Sequence, residues 1–256
     1  MEISLLQGIL LAIFAFIFAV DFWLEGLFIF RPIIVCTVAG LIVGDVQTGL
    51  LAGGLVELAF AGLTSVGGTV PPDPIMTSIM TVVISVTTGQ NVATSLGIAL
   101  PFGLLMQYLG IFSYSIFSYF NPRADRYAKE GNVDGIVKLG LFITTIYASY
   151  FLVVAFLSTY VMQDAMVSLV NAMPQFLIHG FQVAGGLVPA VGFALLLNVM
   201  LKKRYFAYLL AGFLFVCFIP FGNVLPVAVM GLAFALLDYY KDVMGNGKDG
   251  EQNEGI

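Results

Sequence analysis

The chain has 256 residues, of which 60% are hydrophobic and only 10% are charged, and its formal net charge is −5. A soluble globular domain carries roughly 25% charged residues, so the composition excludes that class and predicts an all-α polytopic membrane protein. The two cysteines and the single histidine lie far apart, so they indicate no disulfide framework and no metal site, and no cofactor is expected.

Hydrophobic runs separated by polar or basic residues predict the membrane spans. The runs cover residues 4–30, 75–90, 94–120, 139–162, 183–201, 205–220 and 223–240. The first run has no basic segment before it, which predicts a retained span rather than a cleaved signal peptide. We therefore expect residues 1–240 to form a single transmembrane transport domain. Residues 241–256 are polar and glycine-rich, which predicts a disordered cytoplasmic tail.

Two apolar stretches are interrupted and fit a simple span less well. Residues 32–63 contain the motif GDVQTG between several glycines, which predicts a broken or re-entrant helical hairpin that turns at Asp45 to Gly49. Residues 164–182, with the motif NAMPQFLIHG, predict a second broken element. Interrupted segments in separate halves of a chain are typical of transporters that bind their substrate at the membrane midplane.

Basic residues predict which loops face the cytoplasm. They crowd into residues 121–138, which are therefore expected to form a cytoplasmic loop, and recur at KKR in 202–204 and in the tail. From residue 32 to residue 122 there is no lysine or arginine, so the side on which the N-terminus and the 67–74 loop lie stays open.

Glu57 is the acid that the sequence favours most strongly as functional. It lies in VELAFAG, and an ionised acid at the bilayer centre costs at least about 2.5–3.5 kcal/mol. The structural alternative is a protonated Glu57, or one hydrogen-bonded to Thr64 or Ser65. Asp73 lies in GGTVPPDP, where glycines let the backbone approach a ligand and prolines stiffen the loop, although an ordinary solvated loop would explain it equally well.

Other polar residues have both a structural and a functional interpretation. Asp21 and Glu25 share a helix face near the end of the first span, either at the membrane interface or facing the same cavity as the hairpin. Asp45 is interpreted as a turn cap in preference to a substrate contact. Gln107 either bridges helices or offers a hydrogen bond to a polar solute, and His179 is interpreted as structural.

The chemistry of this set favours a neutral hydroxylated ligand. Carboxylates and amides hydrogen-bond hydroxyl groups, and aromatic faces suit sugar rings. An anionic ligand would require arginine, and the set contains none. A sugar or polyol is therefore the predicted ligand class.

Three motifs in combination resemble a known family. They are RPIIVCTVAGLIVGDVQTGLLAGGLVE at 31–57, LPFGLLMQY at 100–108 and HGFQVAGGLVPAVGFALLL at 179–197. Together they resemble the enzyme IIC subunit of the mannose/fructose/sorbose family of bacterial sugar phosphotransferase systems, and above all its N-acetylgalactosamine and galactosamine branch. The resemblance extends from residue 1 to about residue 240.

The resemblance implies a mechanism and partners. A IIC subunit pairs with a membrane enzyme IID in the bacterial inner membrane, moves a sugar-carrying core in an elevator-like manner and assembles as a trimer of IIC–IID pairs. Cytoplasmic IIA and IIB proteins pass a phosphoryl group from phosphoenolpyruvate to the incoming sugar, so no intrinsic catalytic centre is expected here. Among the predicted substrate-binding residues, Glu57 would bond sugar hydroxyls, Asp73 and Thr69 would close the loop, and Gln107 and Glu25 would add secondary contacts.

Two other functions fit the residues less well. An ion-coupled secondary transporter of a small neutral solute would use the buried acids to carry protons or sodium. An intramembrane aspartyl protease would use a pair among Asp21, Asp45 and Asp73, because two carboxylates that share a proton can do that chemistry. The sequence at 42–45 is IVGD, however, where such enzymes carry GxGD.

Overall fold

The structure, a computed structural model, describes residues 2–63, 71–202, 205–219 and 225–250, with only the backbone described for residues 199 and 242–250. Within these ranges the chain is helical, and its internal contacts divide it into two compact units, Met1–Leu197 and Asn198–Ile256.

Nine α-helices begin within the described residues of the first unit. They are α1 (Leu5–Leu24), α2 (Pro32–Val43), α3 (Val46–Phe60), α4 (Pro74–Thr88), α5 (Val92–Phe117), α6 (Asn121–Lys129), α7 (Val133–Phe156), α8 (Gln163–Ala172) and α9 (Gln175–Met200). A 3-10 turn, Ser118–Phe120, joins α5 to α6, and a π-helical turn, Leu157–Val161, extends α7. The second unit contains α10 (Phe206–Phe218) and α11 (Leu225–Gly250).

Polar side chains fix where several of these helices begin. Ser4 and Gln7 form a reciprocal capping box at the start of α1. Asp73 caps α4 by accepting a hydrogen bond from the backbone N–H of Met76, at 2.7 Å. Gly44 ends α2 with a φ of 89°, a left-handed conformation that glycine adopts without steric cost.

Helix α4 is the centre of the first unit. Its residues from Ile75 to Ser85 are all buried, so the helix is covered on every face. Helices α1, α2, α3, α5, α7 and α8 pack around it. Since a helix buried all round has no side free for lipid, α4 is an internal element even though it is apolar.

Helices α2 and α3 form a tight antiparallel-type hairpin joined by Gly44 and Asp45. A Cβ atom added at Gly40 would lie 2.7 Å from the Cα of Gly49, and one at Gly49 would lie 2.7 Å from the carbonyl oxygen of Cys36. The two helices therefore pack backbone against backbone at this crossing, which only residues without a side chain allow.

In the part of the chain that the structure describes, four helical segments are long and apolar enough to cross a membrane: Leu5–Leu24, Val92–Lys129, Val133–Val161 and Gln175–Asn198. They overlap the predicted spans 4–30, 94–120, 139–162 and 183–201. The predicted spans at 75–90 and 205–220 contain shorter apolar helices, of 15 and 13 residues. Both are below the roughly 20 residues that span a bilayer perpendicularly.

The predicted turn of the hairpin is misplaced. The hairpin turns at Gly44 and Asp45 rather than over Asp45 to Gly49, because Asp45 caps α3 and lets the helix resume at Val46. The 121–138 segment contains α6 and the first turn of α7, which Asn132 caps, and its cytoplasmic side stays a prediction.

The C-terminal half contains the predicted second interruption and departs from the prediction in two other respects. The interruption lies at residues 173–174, within the predicted broken element 164–182, since proline at 174 lacks an N–H and disfavours helix in the residue before it. Helix α9 therefore begins at Gln175, eight residues before the predicted span, and contains His179. Helix α11 continues to Gly250, so the disorder predicted from residue 241 stays a prediction only for residues 251–256.

Candidate functional site

A cavity of about 390 Å³ lies in the first unit where the ends of several helices meet. The end of α1, the start of α2, the end of α3 and the start of α4 surround it, and the middle of α5 and of α7 complete it. Its volume falls within the roughly 300–1,000 Å³ of small-molecule sites. The polar and charged residues on its wall are Glu25, Arg31, Asp73, Gln107, Tyr114 and Tyr147.

Asp73 is buried, with 6% of its surface exposed, and lies at the floor of the cavity. One carboxylate oxygen caps α4, while its backbone N–H donates to the carbonyl oxygen of Gly103 in α5 at 3.0 Å. Thr77 also donates to the backbone oxygen of Asp73, at 2.7 Å. The backbone of Asp73 is thus fixed from two helices, which presents the carboxylate at a defined position.

Glu25 ends α1 in a left-handed conformation, with φ of 47° and ψ of 40°. It is exposed rather than buried, and its side chain lies on the cavity wall. A non-glycine residue with positive φ is uncommon, and such residues concentrate at functional sites.

Arg31 and Glu57 form an ion pair at the start of α2. The second carboxylate oxygen of Glu57 accepts a hydrogen bond from the backbone N–H of Ile33, at 3.1 Å. Arg31 lies on the cavity wall, whereas Glu57 lies behind it, outside the lining. Glu57 therefore neutralises the cation and caps α2 at the same time, which explains how an acid persists within apolar sequence.

Aromatic rings form part of the wall and of the layer behind it. Trp23, which is not in the lining, packs against Tyr147 with ring centroids 4.6 Å apart and against Tyr114 at 5.8 Å. Tyr147 is buried, while Tyr114 is exposed and lies two turns along α5 from Gln107. Aromatic faces next to carboxylates and an amide suit a ring that carries hydroxyl groups.

Three of the five predicted binding residues meet at this cavity: Glu25, Asp73 and Gln107. Glu57 contacts the site through Arg31, and Thr69 lies outside the described residues, as do Thr64 and Ser65.

Asp45 is a helix cap, as its structural interpretation predicts. Its carboxylate accepts hydrogen bonds from the backbone N–H of Thr48, at 3.0 Å, and from the hydroxyl of Thr48, at 2.6 Å. His179 is exposed on α9 and is not part of the cavity lining.

Three residues of the wall were not predicted: Arg31, Tyr114 and Tyr147. Arg31 corrects the expectation that the site contains no cation, and one signal could have found it: it is the only lysine or arginine before residue 123. The two tyrosines carried no such signal, since they are two of eleven in the chain and lie 33 residues apart.

A second cavity, of about 510 Å³, lies in the second unit between α10 and α11. Its lining is mostly apolar and aromatic, and the hydroxyl of Tyr208 donates to Asp238 there at 3.2 Å. It offers a polyhydroxylated ligand fewer polar contacts than the first cavity, which we therefore take as the candidate site.

Residues 5–237 match the family model described as the PTS system sorbose-specific IIC component. The chain belongs to this family of phosphotransferase IIC sugar permeases, and it is a multi-pass inner-membrane protein. It is 56% identical to N-acetylgalactosamine permease IIC component 1 of Escherichia coli strain K12, over 93% of this chain and 90% of that relative. It is 31% identical to the fructose permease IIC component of Bacillus subtilis strain 168, over 94% and 88% of the two chains.

Two solved structures are also similar. One, described only as a membrane protein, has a TM-score of 0.83 and 27% identity over 93% of this chain and 97% of its own. The other is the mannose transporter ManYZ in complex with microcin E492, with a TM-score of 0.55 and 29% identity over 94% and 97%. These matches confirm the predicted family and function, and they support neither the ion-coupled transporter nor the aspartyl protease.

Proposed function

We propose that this permease imports an amino sugar, N-acetylgalactosamine or galactosamine. The observation that carries the proposal is the 56% identity to an N-acetylgalactosamine permease component along almost the whole of both chains. The cavity agrees with this substrate class, because carboxylates, an amide and aromatic rings are the groups that hold a polyhydroxylated ring.

Within the cavity, Asp73 and Gln107 accept and donate hydrogen bonds to the sugar hydroxyls, and Glu25 adds a further acceptor from the opposite wall. Arg31 donates a hydrogen bond to a hydroxyl or an acetyl oxygen of the sugar. Glu57 holds Arg31 in place for this contact through their ion pair. Thr69, which lies outside the described residues, is a further proposed contact of the sugar beside Asp73.

The wider mechanism follows that of a phosphotransferase permease. The chain has no catalytic centre of its own; it pairs with a IID membrane subunit, and cytoplasmic IIA and IIB proteins deliver the phosphoryl group to the sugar. The hairpin of α2 and α3 is re-entrant and moves with α4 as the sugar-carrying core in an elevator-like step. The complex is a trimer of IIC–IID pairs.

The test is sugar uptake in cells that lack their own hexosamine permeases but contain this chain with its IIA, IIB and IID partners. N-acetylgalactosamine, galactosamine and mannose are supplied separately, and the phosphorylated product is measured. The proposal expects phosphoenolpyruvate-dependent accumulation of an amino sugar phosphate, with mannose the poorest substrate. Preferential accumulation of mannose phosphate, or no phosphorylated product from any amino sugar, would refute it.

A further inference from the structure

The segment between α1 and α2 has an unusual backbone. Residues 25–31 are non-helical, and Glu25 and Phe28 adopt positive φ angles of 47° and 57°. They are the only non-glycine residues with positive φ in the described part of the chain. Such conformations cost of order 1–3 kcal/mol and persist only where surrounding contacts hold them.

The contact that holds this segment is the carboxylate of Asp21. Its Oδ1 atom accepts a hydrogen bond from the backbone N–H of Leu27, at 2.7 Å, and its Oδ2 atom accepts one from the N–H of Ile29, at 2.6 Å. Asp21 has 6% of its surface exposed, and both bonds are partly buried, although Leu27 itself is exposed. Short bonds to an ionised oxygen are about twice as strong as neutral ones.

The same segment supplies one wall of the candidate site. Glu25, Phe30 and Arg31 all belong to it, and all three line the cavity. Phe30 packs edge-to-face against Phe22 of α1, with ring centroids 5.0 Å apart, which ties the far end of the segment to α1 as well. Asp21 itself is not part of the lining.

We propose that Asp21 is a positioning residue for sugar binding: its carboxylate fixes the 25–31 segment so that Glu25 and Arg31 face the cavity. The identity of the ligand rests on the proposed function. The ordering of the segment by Asp21 rests only on its two hydrogen bonds to the backbone. The sequence does not predict this role for Asp21, since its partners are backbone groups that a sequence does not mark.

The geometry requires a carboxylate rather than an amide. Both oxygens accept from backbone N–H groups, so in Asp21→Asn the amide NH₂ would face an N–H donor and one bond would be lost. Asp45 provides a matched control, because one of its two partners is the hydroxyl of Thr48, which can also accept. Asp45→Asn therefore keeps both contacts.

The test measures two quantities in Asp21→Asn and Asp45→Asn, with the chain in its complete permease complex. The first is hydrogen–deuterium exchange at the amides of Leu27 and Ile29. The second is the half-saturating concentration for N-acetylgalactosamine uptake, normalised to the amount of complex in the membrane. We expect faster exchange and a rise of about tenfold or more in half-saturating concentration in Asp21→Asn, from the loss of a charge-assisted bond, and neither change in Asp45→Asn.

Unchanged exchange at Leu27 and Ile29 would overturn the positioning role. Faster exchange with an unchanged half-saturating concentration would overturn the link to the sugar and make Asp21 purely structural. If the unsubstituted complex takes up no amino sugar, the proposed function fails instead, and the exchange measurement alone decides whether Asp21 orders the segment.

Discussion

Four acids in the apolar first half of the chain have different structural roles, although each is unusual in such a sequence. Asp21 orders a loop, Asp45 caps α3, and Glu57 pairs with Arg31. Asp73 both caps α4 and faces the cavity. These roles depend on the charge of the side chain to different degrees. Substitutions that keep the shape of the side chain but remove its charge therefore distinguish the roles from one another.

At Asp73, an amide should serve almost as well as the acid. Asp73→Asn keeps an oxygen that can accept from Met76 and can hydrogen-bond sugar hydroxyls, so uptake should stay within roughly a few-fold of the original. Asp73→Ala should abolish uptake and lower stability by about 1 kcal/mol through loss of the cap.

Asp45→Ala is the control for Asp73→Ala. It removes a cap of the same kind outside the cavity, so thermal stability should fall while the half-saturating sugar concentration stays unchanged. Uptake assays and thermal melts of the purified complex measure both effects. Equal loss of uptake in the two alanine variants would show that capping alone accounts for the importance of Asp73.

The pair of Arg31 and Glu57 should behave as one unit. Glu57→Gln and Arg31→Gln should each weaken uptake by roughly a few-fold, because each removes the ion pair that holds Arg31 on the cavity wall, and the pair is partly exposed. The double variant should be no worse than the worse single variant, since residues in direct contact are not additive. If uptake by the double variant fell by the product of the two single losses, Glu57 would instead bond the sugar itself.

The sequence identified the acids better than it identified their partners. Glu57 and Asp73 stand out because apolar neighbours make an acid costly. The pairing of Glu57 with Arg31 crosses 26 residues, and the bonds of Asp21 go to backbone groups, so neither leaves a pattern in the sequence. Tyr147 reaches the cavity from α7 only through helix packing, which periodicity does not predict.

At the scale of helices, the hairpin of α2 and α3 depends on small residues at its crossing. Gly40 and Gly49 bring the two backbones together, while Gly54, on the same helix as Gly49, has open space where a side chain would go. The glycines in this hairpin are therefore not equivalent, although the sequence shows them alike.

Gly49→Ala should destabilise the chain, whereas Gly54→Ala should not. The new methyl group at residue 49 meets the backbone of α2, and overpacking of this kind costs about 1–3 kcal/mol. At residue 54 nothing lies within 4 Å, so alanine should stabilise the helix by up to about 1 kcal/mol. Thermal melts of both variants test this difference, and equal melting temperatures would contradict the close packing.

Helix positions were predicted where the sequence marks both ends. The predicted start of the span at residue 75 is close to that of α4, because proline and Asp73 mark the boundary. The start of α9 was placed eight residues late, because the stretch up to Gly180 was interpreted as broken, whereas Gly180 lies within the helix. Glycine lowers helix propensity without ending a helix, so packing decides such positions.

At the scale of the whole molecule, the proposed function rests on two findings. The chain belongs to the IIC permease family, and its first unit contains a cavity that suits a sugar. The family was predictable from motifs spread over nearly the whole chain, whereas the cavity was not, because six helices contribute to it. We expect the transported sugar to occupy this cavity.

Protection of an introduced cysteine from alkylation by the bound sugar tests this location of the sugar most directly. Gly110 lines the cavity and has room for a side chain, with its nearest neighbour, the Tyr150 hydroxyl, 3.9 Å from an added Cβ. Gly140 on α7 is exposed, has open space and lies outside the lining, so Gly140→Cys is the control. Cys217 is exposed and is replaced by serine, while buried Cys36 remains.

The measurement is the alkylation rate of each cysteine variant, in complexes that still transport N-acetylgalactosamine. The account predicts that saturating N-acetylgalactosamine slows alkylation of Gly110→Cys several-fold and leaves Gly140→Cys unaffected. Equal alkylation of Gly110→Cys with and without the sugar would contradict the placement of the sugar in this cavity.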